Sequence, residues 1–191
     1  MTAAFDPRPQ YLRALDQLEK LFLQVTPEQL DRPTPCTEYD LRALLGHTLG
    51  GIHRVAYVGE GGRGLDLPAQ AGEIADTAWP AALGRARQRV AAAWEEDEKL
   101  DRVVEVPWGY VPGRIALGGY VMEAVTHAWD IAQVVAPGAA LDEELALSVL
   151  PVAEQVLPAD QRDDVPFGPV QPAPADADAP TRLAAWLGRT V

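Results

Sequence analysis

Three histidines, His47, His53 and His127, and a single cysteine, Cys36, stand in this chain of 191 residues. With so few imidazoles and thiols, each is weighed singly. Glu123 and His127 lie four residues apart in a segment of helical periodicity. Side chains at i and i+4 project from one helix face, one turn apart. A metal needs lone pairs that converge in this way. The third ligand must then come from another helix, and His47 is the candidate. Two imidazole nitrogens and one carboxylate suit zinc, with bonds of about 2.0–2.2 Å and an open fourth position, as in catalytic rather than structural sites. Nickel and iron accept the same set. The spacing also describes an ordinary helix-surface Glu–His pair, and His47 alone reads as a hydrogen-bonded histidine at the core edge. His53 lies further round its helix, beside Arg54, and reads as an exposed polar residue.

Tyr120 and Asp130 share the stripe of Glu123 and His127. A ligating imidazole usually donates its other ring N–H to a carboxylate or carbonyl. Asp130 is therefore a candidate for holding a ligand in place; the alternative is a solvated helix acid. Tyr120 is a second candidate, and both Tyr120 and Trp129 read more simply as packing residues. Trp108 and Tyr110 read as a plug of the bundle end in preference to a lid. Cys36 precedes the second helix, where a helix N-terminus can lower a thiol pKa. About eleven residues of helix would place it roughly 16 Å from His47, so it reads as a small buried residue and not as a ligand.

The elements that must position these residues are helices. Leu12, Leu15, Leu18, Phe22 and Val25 recur at steps of three and four, which predicts a first helix from about Pro9 to Val25. Thr37 and Asp40 resemble a capping box opening a second, from about Glu38 to Val58. Its apolar arc is Leu41, Leu44, Leu45, Thr48, Ile52 and Val55, with His47 on the shoulder. A Gly-rich loop, Gly59 to Leu67, lacks the phosphate-loop pattern. A third helix is expected from about Pro80 to Leu100, a fourth from Arg114 to Val135 and another from Asp142 to Val156. The fourth has the arc Leu117, Val121, Ala124, Ala128, Ile131, Ala132 and Val135. Between the third and fourth, Val103 to Gly113 reads as an extended or hairpin-like connector and not as a sheet. Pro166 to Pro180 is rich in Pro, Ala and Asp and reads as a crossing segment. A last short helix, about Pro180 to Gly188, offers Leu183, Trp186 and Leu187 as a dock. The expectation is all-α: one domain over residues 1–191, with a four-helix bundle over about 8–157. An extension from about 158 to 191 packs back on it.

A net charge of −12, from 16 basic and 28 acidic residues, argues against nucleic acid, which needs a clustered basic face. Arg85, Arg87 and Arg89 run straight into Glu95, Glu96, Asp97 and Glu98. The N-terminus has no basic and apolar signal-peptide regions, and no window approaches the ~18 apolar residues of a membrane span. A cytoplasmic protein is expected. Abundant Ala, Arg, Leu and Pro with only Lys20 and Lys99 suggests a high-GC, actinobacterial type of source.

Two blocks carry a resemblance. Pro33-Thr34-Pro35-Cys36-Thr37-Glu38-Tyr39-Asp40-Leu41-Arg42-Ala43-Leu44-Leu45-Gly46-His47 resembles the opening of the metal-binding domain of mycothiol-dependent maleylpyruvate isomerases, a DinB-like four-helix bundle. Glu123-Ala124-Val125-Thr126-His127-Ala128-Trp129-Asp130-Ile131-Ala132 is similar to that family's E-x-x-x-H-x-W-D-x-A signature. By motif, the family's metal triad falls on His47, Glu123 and His127. The resemblance implies a divalent metal and a small-molecule substrate, with mycothiol as a thiol partner in isomerisation or S-transfer; the open position equally allows a Lewis acid on a carbonyl or epoxide oxygen, or an activated water. Tyr39 stands where the family more often has Trp. The ending resembles short actinobacterial relatives without the isomerase's separate C-terminal domain, which supplies part of its thiol and substrate pocket. The isomerase's own reaction is therefore not implied. The rival expectation is a non-catalytic bundle that binds metal or ligand, or a homodimeric interaction module.

Overall fold

The computed structural model describes residues 5–191 except 163, 164 and 166. Met1 to Ala4, part of the signal-peptide reading, and Pro166, the first residue of the Pro-rich stretch, lie outside the described residues. Among the described residues there are seven α-helices and one hairpin: α1 (Arg8–Phe22), α2 (Leu41–Gly59), α3 (Trp79–Ala93), α4 (Glu98–Asp101), β1 (Val103–Val106), β2 (Gly109–Pro112), α5 (Gly113–Val135), α6 (Glu143–Val156) and α7 (Ala179–Trp186).

α2 and α5 turn the apolar arcs read from their sequence inward. Leu41, Leu44, Leu45, Thr48, Ile52 and Val55 of α2 are buried, as are Leu117, Val121, Ala124, Ala128, Ile131, Ala132 and Val135 of α5. In the ring of four, α1 packs on α5 and α3, and α2 packs on α3 and α5. The fold is a mostly helical bundle carrying one small hairpin, with the C-terminal helix packed against it. No helix among the described residues is long and apolar enough to cross a membrane.

Three local expectations are corrected. α2 is capped by Asp40, which accepts from the Ala43 amide at 2.8 Å, so Thr37 lies outside the helix. The third helix stops at Ala93. Four acids, Glu95 to Glu98, would sit at the negative end of its dipole, and the Trp94 indole instead donates to the Val55 carbonyl at 2.9 Å. The connector forms a true antiparallel ladder, pairing Val103 with Pro112 through Val106 with Gly109. Alternation hid it, because only Val104 and Val106 of β1 face the core. The tail docks as expected: α7 packs on α6 and α5, and the Trp186 indole donates to the Leu157 carbonyl at 3.2 Å.

Candidate metal centre

α2 and α5 bring His47, Glu123 and His127 together. One ligand atom from each lies within 4.8 Å of the other two. The His47 Nε2 is 3.4 Å from a Glu123 carboxylate oxygen. That separation suits two ligands of one tetrahedral ion, whose donors sit about 3.4 Å apart at zinc bond lengths. The rings of His47 and His127 meet edge-on, their centroids 5.1 Å apart. Gly51, one turn after His47, makes room for the carboxylate: a Cβ there would come within 3.3 Å of Glu123.

Burial pushes the Glu123 carboxyl up, but the His47 hydrogen bond and the imidazole charges outweigh it, so its pKa lies below the usual carboxylate range. Glu123 is thus an anion facing two ring nitrogens. The donor set fits a divalent cation of the zinc type. His47 and Glu123 keep partly open side chains, 20% and 32% exposed, whereas the His127 side chain is 10% exposed. His47 and Glu123 therefore form the more exposed edge of the cluster, and the Tyr39 ring stacks on His47 at 5.1 Å.

Asp130 does hold the ring of His127, with 3.1 Å between its carboxylate and Nδ1. That leaves Nε2 for the cluster. Asp130 is not the solvated acid of the alternative reading; it is fully buried. Tyr120 is also buried. It lines a cavity of about 10 Å³, room for about one water, beside Tyr11, Thr48, Gly51, Glu123 and His127. Among the described residues its hydroxyl has no partner, so packing is only half of its part. Burial pushes the Tyr120 phenol up and the Glu123 charge adds to this. An unsatisfied buried hydroxyl costs about 1–3 kcal/mol. Tyr120→Phe is therefore expected to raise the stability of the metal-free protein by about 1 kcal/mol, measured by urea unfolding. A loss of that size would show that the hydroxyl has a bonding partner.

Trp129 packs toward the tail, its indole 3.3 Å from the Thr181 hydroxyl. Trp108 tilts over Tyr120 with ring centroids 4.9 Å apart, anchoring the hairpin turn on α5. Tyr110 is mostly exposed and donates to Glu105 at 3.0 Å, so it is no plug. His53 is half-buried, with an unpartnered Nδ1, and lies outside the cluster.

Cys36 is the main correction. Its sulfur lies within 4.8 Å of a His127 ring nitrogen and an Asp130 oxygen. That group does not include His47 or Glu123, and Cys36 is half-buried at a turn, not on the helix, because α2 begins only at Leu41. A turn closed by the Pro33–Asp40 bridge, with Thr34 Oγ1 donating to the Cys36 and Tyr39 carbonyls, carries the thiol back to the site. Burial pushes the thiol up, against a smaller opposite pull from Arg189. Arg189, buried beside Asp130, also escaped the sequence reading. Gly188, a helix-ending residue, was the one local signal near it.

A helical bundle with a histidine and carboxylate cluster between two of its helices is the class that fold and site define. Residues 11–132 match the family described as the mycothiol maleylpyruvate isomerase N-terminal domain, and the chain belongs to that family. Two Mycobacterium tuberculosis proteins, Rv0738 and MT0763, are each 33% identical to it over 191 residues, covering 97% of this chain and 99% of theirs. Crystal structures of the mycothiol-dependent maleylpyruvate isomerase and of a histidine-to-alanine mutant share the fold. Their TM-scores are 0.57 and 0.60, at 14% and 13% identity over 80% of this chain and 70% of theirs.

Proposed function

We propose that this chain is a metal-dependent protein acting on a small molecule, with mycothiol or a similar thiol as the partner it activates, in S-transfer or isomerisation. Zinc is the preferred metal, held by His47, Glu123 and His127. The observation that carries this reading is the convergence of those three donors, one ligand atom of each within 4.8 Å of the others. The family's mycothiol-dependent relatives support the thiol.

A bound divalent ion would deprotonate a coordinated thiol and present it as a nucleophile at neutral pH. The protein's own residues do the rest. Glu123 offsets one charge of the ion. Asp130 holds His127 in a single orientation. Tyr39 and His47 border the approach, and the Tyr120 hydroxyl is free to meet a polar atom in the cavity.

The test is thiol consumption by the purified protein with zinc, mycothiol and a panel of electrophiles, including maleylpyruvate. Turnover by the wild type that disappears in Glu123→Ala supports the proposal. Zinc uptake without thiol consumption on any electrophile would sink the catalytic half of the reading.

A further inference from the structure

We propose that Arg189 is a positioning residue for His127. Its guanidinium holds the Asp130 carboxylate, and Asp130 in turn holds the imidazole in the Nδ1–H form, with Nε2 turned to the cluster. Only the use of Nε2 as a ligand rests on the metal reading above.

The geometry is a bonded chain. Arg189 Nε donates to Asp130 Oδ1 at 3.2 Å and Nη2 to Oδ2 at 3.0 Å. The same Oδ2 lies 3.1 Å from His127 Nδ1. The remaining arm, Nη1, donates to the Leu187 carbonyl at 3.1 Å. A planar guanidinium engaged on both carboxylate oxygens fixes the plane of that carboxylate. Asp130 is 0% exposed and Arg189 9%. Among the described residues, His127, Asp130 and Arg189 are the buried side chains of charged or imidazole type, and all three belong to this chain. Burying an ion pair is expensive, and an apolar contact of similar volume docks a tail as well or better. Here the buried charge is spent on one oxygen that faces one ring nitrogen.

The tail is built to deliver that arm. α7 is followed by its cap Leu187 and then by Gly188, whose φ is +91°, a conformation that favours glycine. The Arg189 amide then bonds back to the Ala184 carbonyl at 2.9 Å and the Gly188 amide to Ala185 at 3.1 Å. This is a Schellman-type turn, which reverses the chain. Gly188 also rests on Gly168, where a Cβ would come within 2.8 Å of backbone. Glu143 holds the start of α7 through the Ala179 amide at 2.9 Å. Arg189 lies 59 residues beyond Asp130 and outside the stretch that matches the family, which ends at 132. The extension therefore supplies a working part of the site and not only a cover for α5 and α6.

The experiment uses the full chain with Arg189→Ala, Arg189→Lys, Asp130→Asn and the Asp130→Asn/Arg189→Ala double variant. Long-range ¹H–¹⁵N spectra of the histidine rings are recorded on metal-free protein, and zinc affinity is read by competition with a chromogenic chelator. The wild type is expected to show His127 as a single Nδ1–H form. Arg189→Ala is expected to average it between tautomers and to weaken zinc about 10–100-fold, the range for partners of ligating histidines. Arg189→Lys should recover part of both. The double variant should bind zinc no more weakly than Asp130→Asn, since Arg189 acts through Asp130. An unchanged His127 signature and unchanged zinc affinity in well-folded Arg189→Ala would overturn the proposal. If that variant does not fold, the same comparison is made with Arg189→Lys. A wild type that binds no zinc would remove the metal reading, and the metal-free spectra would then decide the Arg189 lock alone.

Discussion

Glu123→Ala is expected to abolish zinc binding at micromolar metal while leaving the helix content intact. Glu123 supplies the one anion of the triad, and its oxygen sits 3.4 Å from His47 Nε2. Without it, two neutral imidazoles face the ion. The expected loss exceeds the ~10–100-fold typical of partners that merely orient ligands. A second readout is thermal. Zinc at about a thousandfold excess over its Kd stabilises a folded protein by about 4 kcal/mol, which in a chain of this size raises Tm by about 8–16 °C. That rise should be present in the wild type and absent in Glu123→Ala and His47→Ala. Equal zinc uptake by the wild type and both variants would rule out the triad.

The second large effect is on stability. Asp130→Ala leaves the Arg189 guanidinium buried without its carboxylate. Removing one partner of a buried pair costs about 3–5 kcal/mol, a fall in Tm of about 6–20 °C here. Truncating both residues to Ala should be less harmful than the sum of the two single changes, because no charge is then stranded. The pH dependence follows. Burial pushes the Asp130 carboxyl up, but the hydrogen bonds from His127 and Arg189 outweigh it and hold it below the usual range. A carboxyl with a lowered folded pKa adds stability that is fully present above its unfolded value, about 3.9. That stability is lost as pH falls through the folded value. The wild type should therefore weaken on acidification below about pH 4, and Asp130→Asn should lack that part of the slope. Urea unfolding at stepped pH measures both. A mild Asp130→Ala phenotype with parallel acid slopes would mean that the pair carries little of the stability.

Much of the bundle was legible because its signal is local. A 3.6-residue period marks which face of α2 and α5 must leave water, and those faces are the buried ones. Glu123 and His127 were legible for the same reason, since i and i+4 meet whatever surrounds the helix. His47 required the second helix to be paired correctly, which the motif resemblance supplied. The hairpin was harder to read. Its strands are four residues long, and a ladder depends on a partner strand that local pattern does not name.

The sequence by itself determined most of the helices, the inward faces of α2 and α5, and the Glu123–His127 pair. Those follow from periodicity and residue chemistry within single segments. Only the tertiary structure decided what surrounds the donors. Cys36 reaches His127 and Asp130 because a turn reverses the chain before Leu41. Arg189 reaches Asp130 because the tail folds back across α5 and ends in a left-handed glycine. Both are contacts between residues distant in the chain or across an irregular turn. No residue period encodes such contacts: the turn places the neutral Cys36 thiol, and the Asp130 carboxylate stays buried only with the Arg189 guanidinium beside it.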